Sequence, residues 1–392
     1  MTDRKLAADI VQALRQVLPE RKDPIALHEP AFSGREWEYV KECLDSGWVS
    51  SAGRFVERFE RELAELTGIP HVVAVVNGTA ALHVCLLLAG VRPGDEVLVP
   101  SLTFVATANA VRYCGAIPHF VDVSPVTLGM DADTLSAYLN EIVQTGPDGT
   151  VINRATGRRI AAVVPMHTFG HPVDLEPLLA LCERYRLPMV EDAAESLGSL
   201  YRGRHTGSFG LLGAFSFNGN KIVTTGGGGA IVTSDAELAK AARHLTTTAK
   251  RPHPWAFWHD QVGFNYRMPN LNAALGCAQL EQLDRLLDNK RKLYERYRRF
   301  FADVQGVRVL QEPPYARSNY WLNAILLEKP DLRQRDEVLQ ATHDAGFLTR
   351  PVWTPLHKLP MYTDCPRMPL PVTEQLEQAV INVPSSPWLV EE

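Results

Sequence analysis

The sequence predicts an α/β protein with a large domain, built on a mostly parallel central sheet flanked by helices, and a smaller C-terminal α+β domain. From Pro70 onward, short apolar segments alternate with amphipathic segments of helical length, which is the pattern of βαβ units. The short segments are continuously apolar, as expected for strands that are covered on both faces. A long helical pattern near residue 270 then ends the alternation.

The elements of the large domain follow one another along the chain. The predicted strands are Val72–Val76, Glu96–Val99, Pro118–Val123, Ala161–Met166, Leu187–Glu191, Gly213–Phe217 and Gly229–Val232. The predicted helices are Thr79–Ala89, Thr103–Cys114, Leu175–Tyr185 and Glu237–Leu245. Gly90 and Gly115 follow two of these helices, where glycine commonly ends a helix.

The C-terminal part begins with a longer helix. Apolar residues recur every three or four positions over Asn270–Lys292, which predicts one helix that bridges to the smaller domain. In that domain, Trp321–Leu327 is a predicted strand and Leu332–Ala345 a predicted helix.

The predicted domain bounds are 1–270, for an N-terminal segment with the large domain, and 271–392, for the bridging helix with the small domain. Ala7–Leu18 is predicted to be an amphipathic helix. We expect the segment before Pro70 to pack on both domains.

The charge of the chain bounds the classes of partner. The 392 residues carry a net charge of −5 and the pI is about 6.2, so no strong basic field indicates nucleic-acid binding. Basic residues do cluster over 290–299, but they alternate with apolar residues at helical spacing. That spacing is typical of a solvated helix face.

The apolar content and the cysteines indicate the compartment. No run approaches the roughly 18 apolar residues of a membrane span, and the first residues lack the pattern of a signal peptide. The six cysteines are scattered, without a CxxC pair or a histidine at ligand spacing. We therefore expect a cytoplasmic protein with reduced, mostly buried thiols and no bound metal.

Lys221 and Asp192 carry the strongest chemical signal. Lys221 lies in a small turn after Ser216, before the run Gly226–Gly229, and Asp192 follows an apolar segment upstream. Pyridoxal phosphate (PLP) needs a lysine amine for its aldehyde, and an aspartate can pair with its ring nitrogen. Alone, Lys221 would be taken as a surface lysine and Asp192 as a helix cap or an ion-paired loop residue.

A phosphate site is predicted where a strand gives way to a helix, at Asn77-Gly78-Thr79-Ala80-Ala81. The backbone amides of Gly78, Thr79 and Ala80 open the helix and can donate to an anion. Ser216 adds a hydroxyl. The alternative is an ordinary N-cap. The run Gly226–Gly229 is not a phosphate loop, because it precedes a strand and lacks the GxxxxGK[ST] pattern.

Three more residues are candidates for cofactor contacts. Phe104 follows a predicted strand, so its ring could stack on the cofactor, although a core phenylalanine is the alternative. Glu195 is three residues after Asp192 and could reach the edge oxygen of the ring. Asn265 lies in a loop before the long helix, where a turn residue is the alternative.

These segments together resemble the DegT/DnrJ/StrS family of sugar-nucleotide aminotransferases, which have the aspartate-aminotransferase-like type I fold of PLP enzymes. The resemblance spans residues 49 to 268. It is carried by Val49-Ser50-Ser51-Ala52-Gly53, Phe59-Glu60, Asn77 to His83, Pro93 to Val97, Thr103 to Thr107, Glu191 to Glu195, Phe215 to Lys221 and Asn265 to Met268. The segments Arg350 to Trp353, Leu356-His357 and Leu359 to Tyr362 resemble the LegC-like branch.

The resemblance implies roles for the candidate residues. Lys221 would bind the cofactor aldehyde, Asp192 the pyridine nitrogen and Phe104 the ring face. The phosphate would be held by Gly78, Thr79, Ala80 and Ser216, with Asn265 supplied by the other subunit of a homodimer. Glu195 stands where the family commonly has glutamine. Related enzymes that catalyse dehydration carry histidine in place of the lysine, so Lys221 favours transamination.

The function that this implies is transfer of an amino group from L-glutamate to a nucleotide-linked 4-keto-6-deoxy sugar, in the biosynthesis of bacterial surface glycans or nonulosonic acids. From the branch we expect a UDP-linked 2-acetamido-4-keto-6-deoxy hexose, with GDP- and dTDP-linked sugars as alternatives. Two alternative hypotheses for the function are PLP-dependent elimination or epimerisation on a keto sugar, and a non-catalytic regulator with the PLP fold. Trp48 and Tyr320 are candidate sugar or nucleotide contacts, with core or interface packing as their alternative.

Overall fold

The computed structural model describes residues 2–146 and 148–391. The helices are α1 (Thr2–Val17), α2 (Glu36–Ser46), α3 (Arg54–Thr67), α4 (Gly78–Leu88), α5 (Val105–Tyr113), α6 (Ala132–Ile142), α7 (Leu175–Tyr185), α8 (Ala236–Thr246), α9 (Asn270–Leu280), α10 (Leu283–Phe300), α11 (Leu332–Asp344) and α12 (Pro371–Glu377).

The strands follow the same chain order. They are β1 (His71–Val75), β2 (Glu96–Pro100), β3 (Ile117–Val121), β4 (Val143–Thr145), β5 (Val151–Asn153), β6 (Ile160–Val163), β7 (Val190–Asp192), β8 (Leu200–Tyr201), β9 (Arg204–His205), β10 (Leu212–Ser216), β11 (Gly229–Thr233), β12 (Lys250–Arg251), β13 (Trp258–His259), β14 (Val307–Val309), β15 (Ala316–Arg317), β16 (Asn323–Leu327), β17 (Arg350–Pro351) and β18 (Val380–Val383).

The central sheet confirms the predicted α/β class. Four strands pair in the order β1-β11-β10-β7 and three in the order β3-β2-β6. Parallel bridges from Val163 to Met189 and from Met166 to Asp192 join the two groups. Strand β11 runs antiparallel to β1 and β10, and the other pairs are parallel. Helices cover the sheet, so its strands are almost entirely buried.

The prediction of one continuous helix over Asn270–Lys292 is wrong. The structure has two helices in this region, α9 and α10, with a break at Gln282. The Gln282 side chain donates to Glu36 at 2.6 Å and accepts from Ser33 at 2.8 Å. The break therefore serves contacts with the N-terminal segment, which is far away in sequence.

A second, antiparallel sheet forms near the C-terminus in the order β14-β16-β18-β17. Helix α1 packs against it and α10, because Ile10 and Leu14 share a buried cluster with Tyr297 and Ile325. Residues at the start of the chain thus contact the predicted small domain. The domain division at residue 270 stays a prediction.

Two further features concern the surface and the thiols. Within the described part of the chain, no helix combines the length and the hydropathy that crossing a membrane requires. All six cysteines are buried and form no disulfide. Burial raises the pKa of the Cys85 thiol well above its usual value and that of Cys114 to about 12.

Candidate active site

The candidate site lies at the edge of the central sheet where β7 and β10 end and α4 begins. Asp192 is the last residue of β7 and pairs in register with Ala214 of β10. Ser216 ends β10, and a Cβ added at Gly78 would lie 2.9 Å from the Ser216 Cβ. The first turn of α4 is therefore packed against the end of β10. Ligands of open α/β sheets bind at this carboxyl edge.

Asp192 is buried and held by two hydrogen bonds. Thr107 Oγ1 donates to Asp192 Oδ2 at 2.7 Å, and the Ala194 amide donates to Oδ1 at 3.2 Å. Burial raises the pKa of Asp192, while the Thr107 hydroxyl, the Ala194 amide and the Lys221 charge oppose this rise. The carboxylate is thus fixed in position, in a place where a cation would stabilise its charged form.

Lys221 contacts a carboxylate and an aromatic ring. Its Nζ lies 3.3 Å from Glu195 Oε1 and 3.7 Å from the centroid of the Trp321 ring. The indole Nε1 of Trp321 donates to the carbonyl of Asn220 at 2.7 Å, next to Lys221 in the chain. The lysine side chain is 14% exposed, so the amine is directed into the site rather than into bulk solvent.

Glu195 links Lys221 to the turn after β6. Its Oε2 accepts from the Phe169 amide at 2.8 Å. Burial raises the pKa of Glu195 to about 7, against the opposing effect of the Lys221 charge and the Phe169 amide. A buried carboxyl group with this pKa exchanges a proton near neutral pH.

The start of α4 provides donors for an anion, but not all of those predicted. Asn77 caps the helix, and its Oδ1 accepts from the Ala80 amide at 2.8 Å. The Ala80 amide is therefore satisfied within the chain, contrary to its predicted role. The amides of Gly78 and Thr79 are the first two of the helix, where no preceding turn supplies a carbonyl. An anion at this end would also be stabilised by the helix dipole.

Phe104 precedes α5 and is 51% exposed, so it is not the core phenylalanine of the alternative interpretation. Its ring lies 6.4 Å from that of Trp353, which in turn lies 5.0 Å from the ring of Phe169. An exposed ring beside this aromatic cluster is available to stack on a flat ligand.

Asn265 and Trp48 lie on the surface of the chain. Asn265 is exposed and pairs with Thr247 in an isolated bridge. Trp48 is 60% exposed, and its carbonyl accepts from Asn270 Nδ2 at 2.7 Å. Each side chain is free to meet another molecule, although the structure of one chain does not bring them to Lys221.

Tyr320 is not accessible, and packing, the alternative stated for it, accounts for its contacts. The side chain is 1% exposed and stacks on Tyr294 with ring centroids 4.0 Å apart. Its neighbour Trp321, rather than Tyr320, contacts Lys221. Tyr320 is therefore left out of the candidate site.

Two residues of the site were missed in the sequence. Thr107 follows Thr103 by one helical turn, and the two hydroxyls lie 3.0 Å apart; the i,i+4 pair of threonines was a signal that could have been used. Trp321 begins a predicted strand, and no local pattern distinguishes it from a core residue.

The residues present fit PLP. An amine, a buried carboxylate and a helix N-terminus with a hydroxyl beside it correspond to the aldehyde, the ring nitrogen and the phosphate of that cofactor. Gly78 lies so close to Ser216 that a Cβ at position 78 would not fit. The absence of a side chain at Gly78 therefore lets the start of α4 lie directly against the end of β10.

Three comparisons with known proteins agree with this fit. The sequence profile of the DegT/DnrJ/EryC1/StrS aminotransferase family matches residues 30–392. The chain is similar to the GDP-perosamine synthase of Escherichia coli O157:H7, with 38% identity over 368 residues, which are 94% of this chain and 95% of the relative. It is also similar to the GDP-perosamine synthase of Caulobacter vibrioides, with 39% identity over 370 residues, 94% of each chain.

The fold is also shared with a solved structure, that of S. venezuelae DesV in complex with a ketimine intermediate. The TM-score is 0.80 and the sequence identity 31%, and the match covers 91% of this chain and 90% of DesV.

Proposed function

Because the chain belongs to the DegT/DnrJ/EryC1/StrS aminotransferase family, we propose that it transfers an amino group from L-glutamate to a nucleotide-linked 4-keto-6-deoxy sugar. The enzyme is a PLP-dependent aminotransferase, as its family is. The observation that carries the proposal is the position of Asp192 at the end of β7 and of Lys221 shortly after the end of β10, because these are adjacent parallel strands and their ends lie beside the start of α4. When bound, PLP supplies an electron sink for the pair released when a proton leaves the substrate carbon.

Lys221 is the proposed catalytic residue. Its amine is the group that would bind the cofactor aldehyde and, once displaced by an amino substrate, carry a proton to and from the substrate carbon. Glu195 Oε1 at 3.3 Å and the Trp321 ring at 3.7 Å hold the amine in place. Both contacts are reversible, which suits a side chain that must release and rebind the cofactor in each cycle.

Asp192 is the proposed partner of the protonated ring nitrogen. Its buried carboxylate is fixed by Thr107 and Ala194, and within residues 2–146 and 148–391 it forms no ion pair in direct contact. A cationic ring nitrogen would lower the free energy of the buried charge. The proposed phosphate contacts are the amides of Gly78 and Thr79 with the Ser216 hydroxyl.

The substrate class follows from the relatives and from the resemblance. Two relatives that match almost the whole chain are named GDP-perosamine synthase, which favours a GDP-linked sugar. The LegC-like end of the chain favours a UDP-linked 2-acetamido sugar. Both are 4-keto-6-deoxy hexoses on a nucleotide, so both belong to the same proposal, within the synthesis of a bacterial surface glycan or nonulosonic acid.

A homodimer with Asn265 in the partner's site is part of the proposal. Asn265 is exposed, and the nearby hairpin of β12 and β13 carries Trp255 and Phe257 at 82% and 80% exposure, which suits an interface. Mixing the inactive variants Lys221→Ala and Asn265→Ala should then restore activity in mixed dimers, because one of the two sites is intact. The cytoplasmic location also stays a proposal.

The test of the function is a panel of nucleotide 4-keto sugars with glutamate, with products identified by mass and NMR. The purified enzyme should convert bound PLP to pyridoxamine phosphate on addition of glutamate, and should then aminate one of the GDP- or UDP-linked sugars. Lys221→Ala should do neither, with Lys240→Ala, an exposed lysine on α8, as the matched control. Elimination without pyridoxamine phosphate, or amination by Lys221→Ala, would overturn the proposal.

A further inference from the structure

His28 lies in a segment whose backbone is fixed on both sides of the imidazole. The carbonyl of Leu27 accepts from the Ser385 amide at 2.7 Å, and the Glu29 amide donates to Ser386 Oγ at 2.8 Å. The segment before α2 is therefore anchored to the end of the chain, and the His28 ring is held in a defined place.

Both ring nitrogens of His28 are buried, and neither has a hydrogen-bond partner within the described part of the chain. A buried polar atom without a partner costs free energy, and such atoms are rare in folded proteins. A ligand that bonds to the ring would remove this cost.

The His28 ring lies beside the Trp321 ring, which contacts Lys221 in the candidate active site. The centroid of the His28 ring lies 6.4 Å from that of the Trp321 ring. Lys221 Nζ lies 3.7 Å from the same Trp321 centroid. Lys290, fully buried, donates to the Trp321 carbonyl at 2.7 Å and to the carbonyl of Ser385. One lysine thus ties the backbone at Trp321 to the segment that anchors His28.

The chemistry of the ring limits its ligand. Burial, with the charges of Lys290 and Lys221, lowers the pKa of His28 well below its usual value, so the imidazole is neutral. A neutral imidazole has one donor and one acceptor, which matches a hydroxyl group, itself both donor and acceptor. A phosphate or carboxylate would offer acceptors only and would be better served by a cation.

We propose that His28 recognises the sugar by hydrogen bonding to a ring hydroxyl next to the carbonyl that Lys221 and the cofactor aminate. This rests on the proposed function and adds a specificity residue to it. His28 would position the keto sugar without contributing to the reaction with glutamate, whose chemistry depends on Lys221 and Asp192.

His171 shows that an unpartnered imidazole is not in itself a sugar site. Its two ring nitrogens also have no partner among the described residues, but it is 1% exposed and packs edge-on against Tyr320 at 5.2 Å. It has no contact with Lys221 or Trp321 among those that the structure records. His171 is therefore a matched control, with the same side chain and the same lack of partners.

The experiment separates the two half-reactions of the holoenzyme. His28→Phe keeps a ring of similar size and removes both nitrogens, whereas His28→Asn and His28→Gln each restore one amide in place of them. Conversion of bound PLP to pyridoxamine phosphate by glutamate is followed by absorbance. Amination is followed with GDP-4-keto-6-deoxymannose and UDP-2-acetamido-4-keto-6-deoxyhexose as the probes.

We expect His28→Phe to react with glutamate at the wild-type rate and to lose about 10- to 100-fold in kcat/KM for the keto sugar, the loss expected for a hydrogen bond to substrate. One of the amide variants should recover part of this loss, and His171→Phe should show no such split. Equal losses in both half-reactions, or an unchanged kcat/KM for the sugar, would overturn the proposal. If wild-type enzyme aminates neither probe, the proposed function fails and this inference fails with it.

Discussion

Thr107 Oγ1 donates a 2.7 Å hydrogen bond to Asp192 Oδ2, from helix α5 to the end of strand β7. Both residues are buried, at 1% and 3% exposure. The Thr107 hydroxyl therefore supplies a hydrogen bond that water would give to an exposed carboxylate. This hydrogen bond lowers the pKa of Asp192 and so opposes the effect of burial, which raises it.

Thr107→Val should weaken the reaction and change its pH dependence. The substitution keeps the shape and removes the donor, so the pKa of Asp192 rises further. Asp192 is then protonated at a higher pH, and the acidic limb of the kcat/KM profile should move toward neutral pH. The loss of one hydrogen bond to a charged group should lower kcat about tenfold or more at the optimum.

Thr107→Ser is the control for this prediction, since it retains the hydroxyl and loses a methyl group. Its acidic limb should coincide with that of the wild type. A Thr107→Val profile that falls uniformly, without movement of the limb, would contradict the role given to the hydrogen bond.

The sequence predicted those parts of the site whose residues follow strand ends. Asp192 and Gly78 each follow a predicted strand, and Ser216 lies near the end of one; parallel strands bring such positions to one edge. Thr107 and Trp321 meet Asp192 and Lys221 from distant parts of the chain. The spacing of Thr103 and Thr107 places the two hydroxyls on one helix face, but it does not indicate that Thr107 contacts Asp192, and no local pattern distinguishes Trp321.

The same reasoning applies to the fold. Where a strand or helix between Pro70 and residue 270 was predicted, its bounds agree with the structure to within a few residues, because apolar periodicity is local. Helix α6 and the short strands of the same region were not predicted. The break at Gln282 was not predicted, because it depends on Glu36, which is 246 positions away. Contacts of that range are set by the packing of elements, not by their individual patterns.

Trp321 should affect both the folded state and cofactor binding. Trp321→Phe keeps an aromatic ring beside Lys221 but removes the indole N–H that donates to the Asn220 carbonyl. The loss of this hydrogen bond should lower the free energy of unfolding by about 1 kcal/mol. Trp321→Leu also removes the aromatic ring over which Lys221 Nζ lies, and the loss of this cation–π contact should lower the free energy of unfolding by a further amount of about 0.5–2 kcal/mol. We expect PLP affinity, measured by absorbance titration, and the free energy of unfolding to fall in the order wild type, phenylalanine, leucine.

The Lys250 amine, 4.2 Å from the exposed Phe257 ring, provides a comparison on the surface. Phe257→Leu should leave PLP affinity within error of the wild type. If Trp321→Leu binds PLP as tightly as Trp321→Phe, the ring has no part in holding Lys221.

Glu195 should make the apoprotein less stable as the pH rises. Burial raises the pKa of Glu195 to about 7 in the folded protein, above its value of 4.5 in the unfolded chain. The folded state therefore binds the proton more tightly, and stability gained below pH 4.5 is lost as the pH rises through about 7. The whole effect amounts to at most about 3 kcal/mol.

Glu195→Gln removes this titration. Urea unfolding of the apoproteins between pH 5 and pH 8, a range of about three units around the shifted value, should show the variant gaining stability relative to the wild type as the pH rises. Glu237→Gln, at a fully exposed position on α8, is the matched control and should follow the wild type. Parallel curves for Glu195→Gln and the wild type would show that Glu195 does not titrate in this range.

Gly170 approaches Asn319 so closely that any side chain there should disturb the site. A Cβ at Gly170 would lie 1.8 Å from Asn319 Oδ1, and the backbone has φ +94°. Asn319 Oδ1 accepts from the Trp321 amide at 2.8 Å, and its Nδ2 donates to the Glu195 carbonyl at 2.9 Å. Movement of Asn319 would therefore shift both residues that contact Lys221.

Gly170→Ala can be compared with Gly203→Ala, because Gly203 has a similar φ of +82° with no atom near the added Cβ. The left-handed backbone alone should cost about 1–2 kcal/mol in each, and the clash at Gly170 should add about 1–3 kcal/mol. Denaturant unfolding gives the two free energies, and only Gly170→Ala should also lose activity with PLP bound. Asn319→Ala removes the atom that the Cβ meets, but it also removes the hydrogen bonds of Asn319 to Trp321 and Glu195, so the double variant is compared with Asn319→Ala alone. In the Asn319→Ala background, Gly170→Ala should cost only the backbone strain. If it costs as much there as in the wild type, the contact between Gly170 and Asn319 is not the cause of the loss.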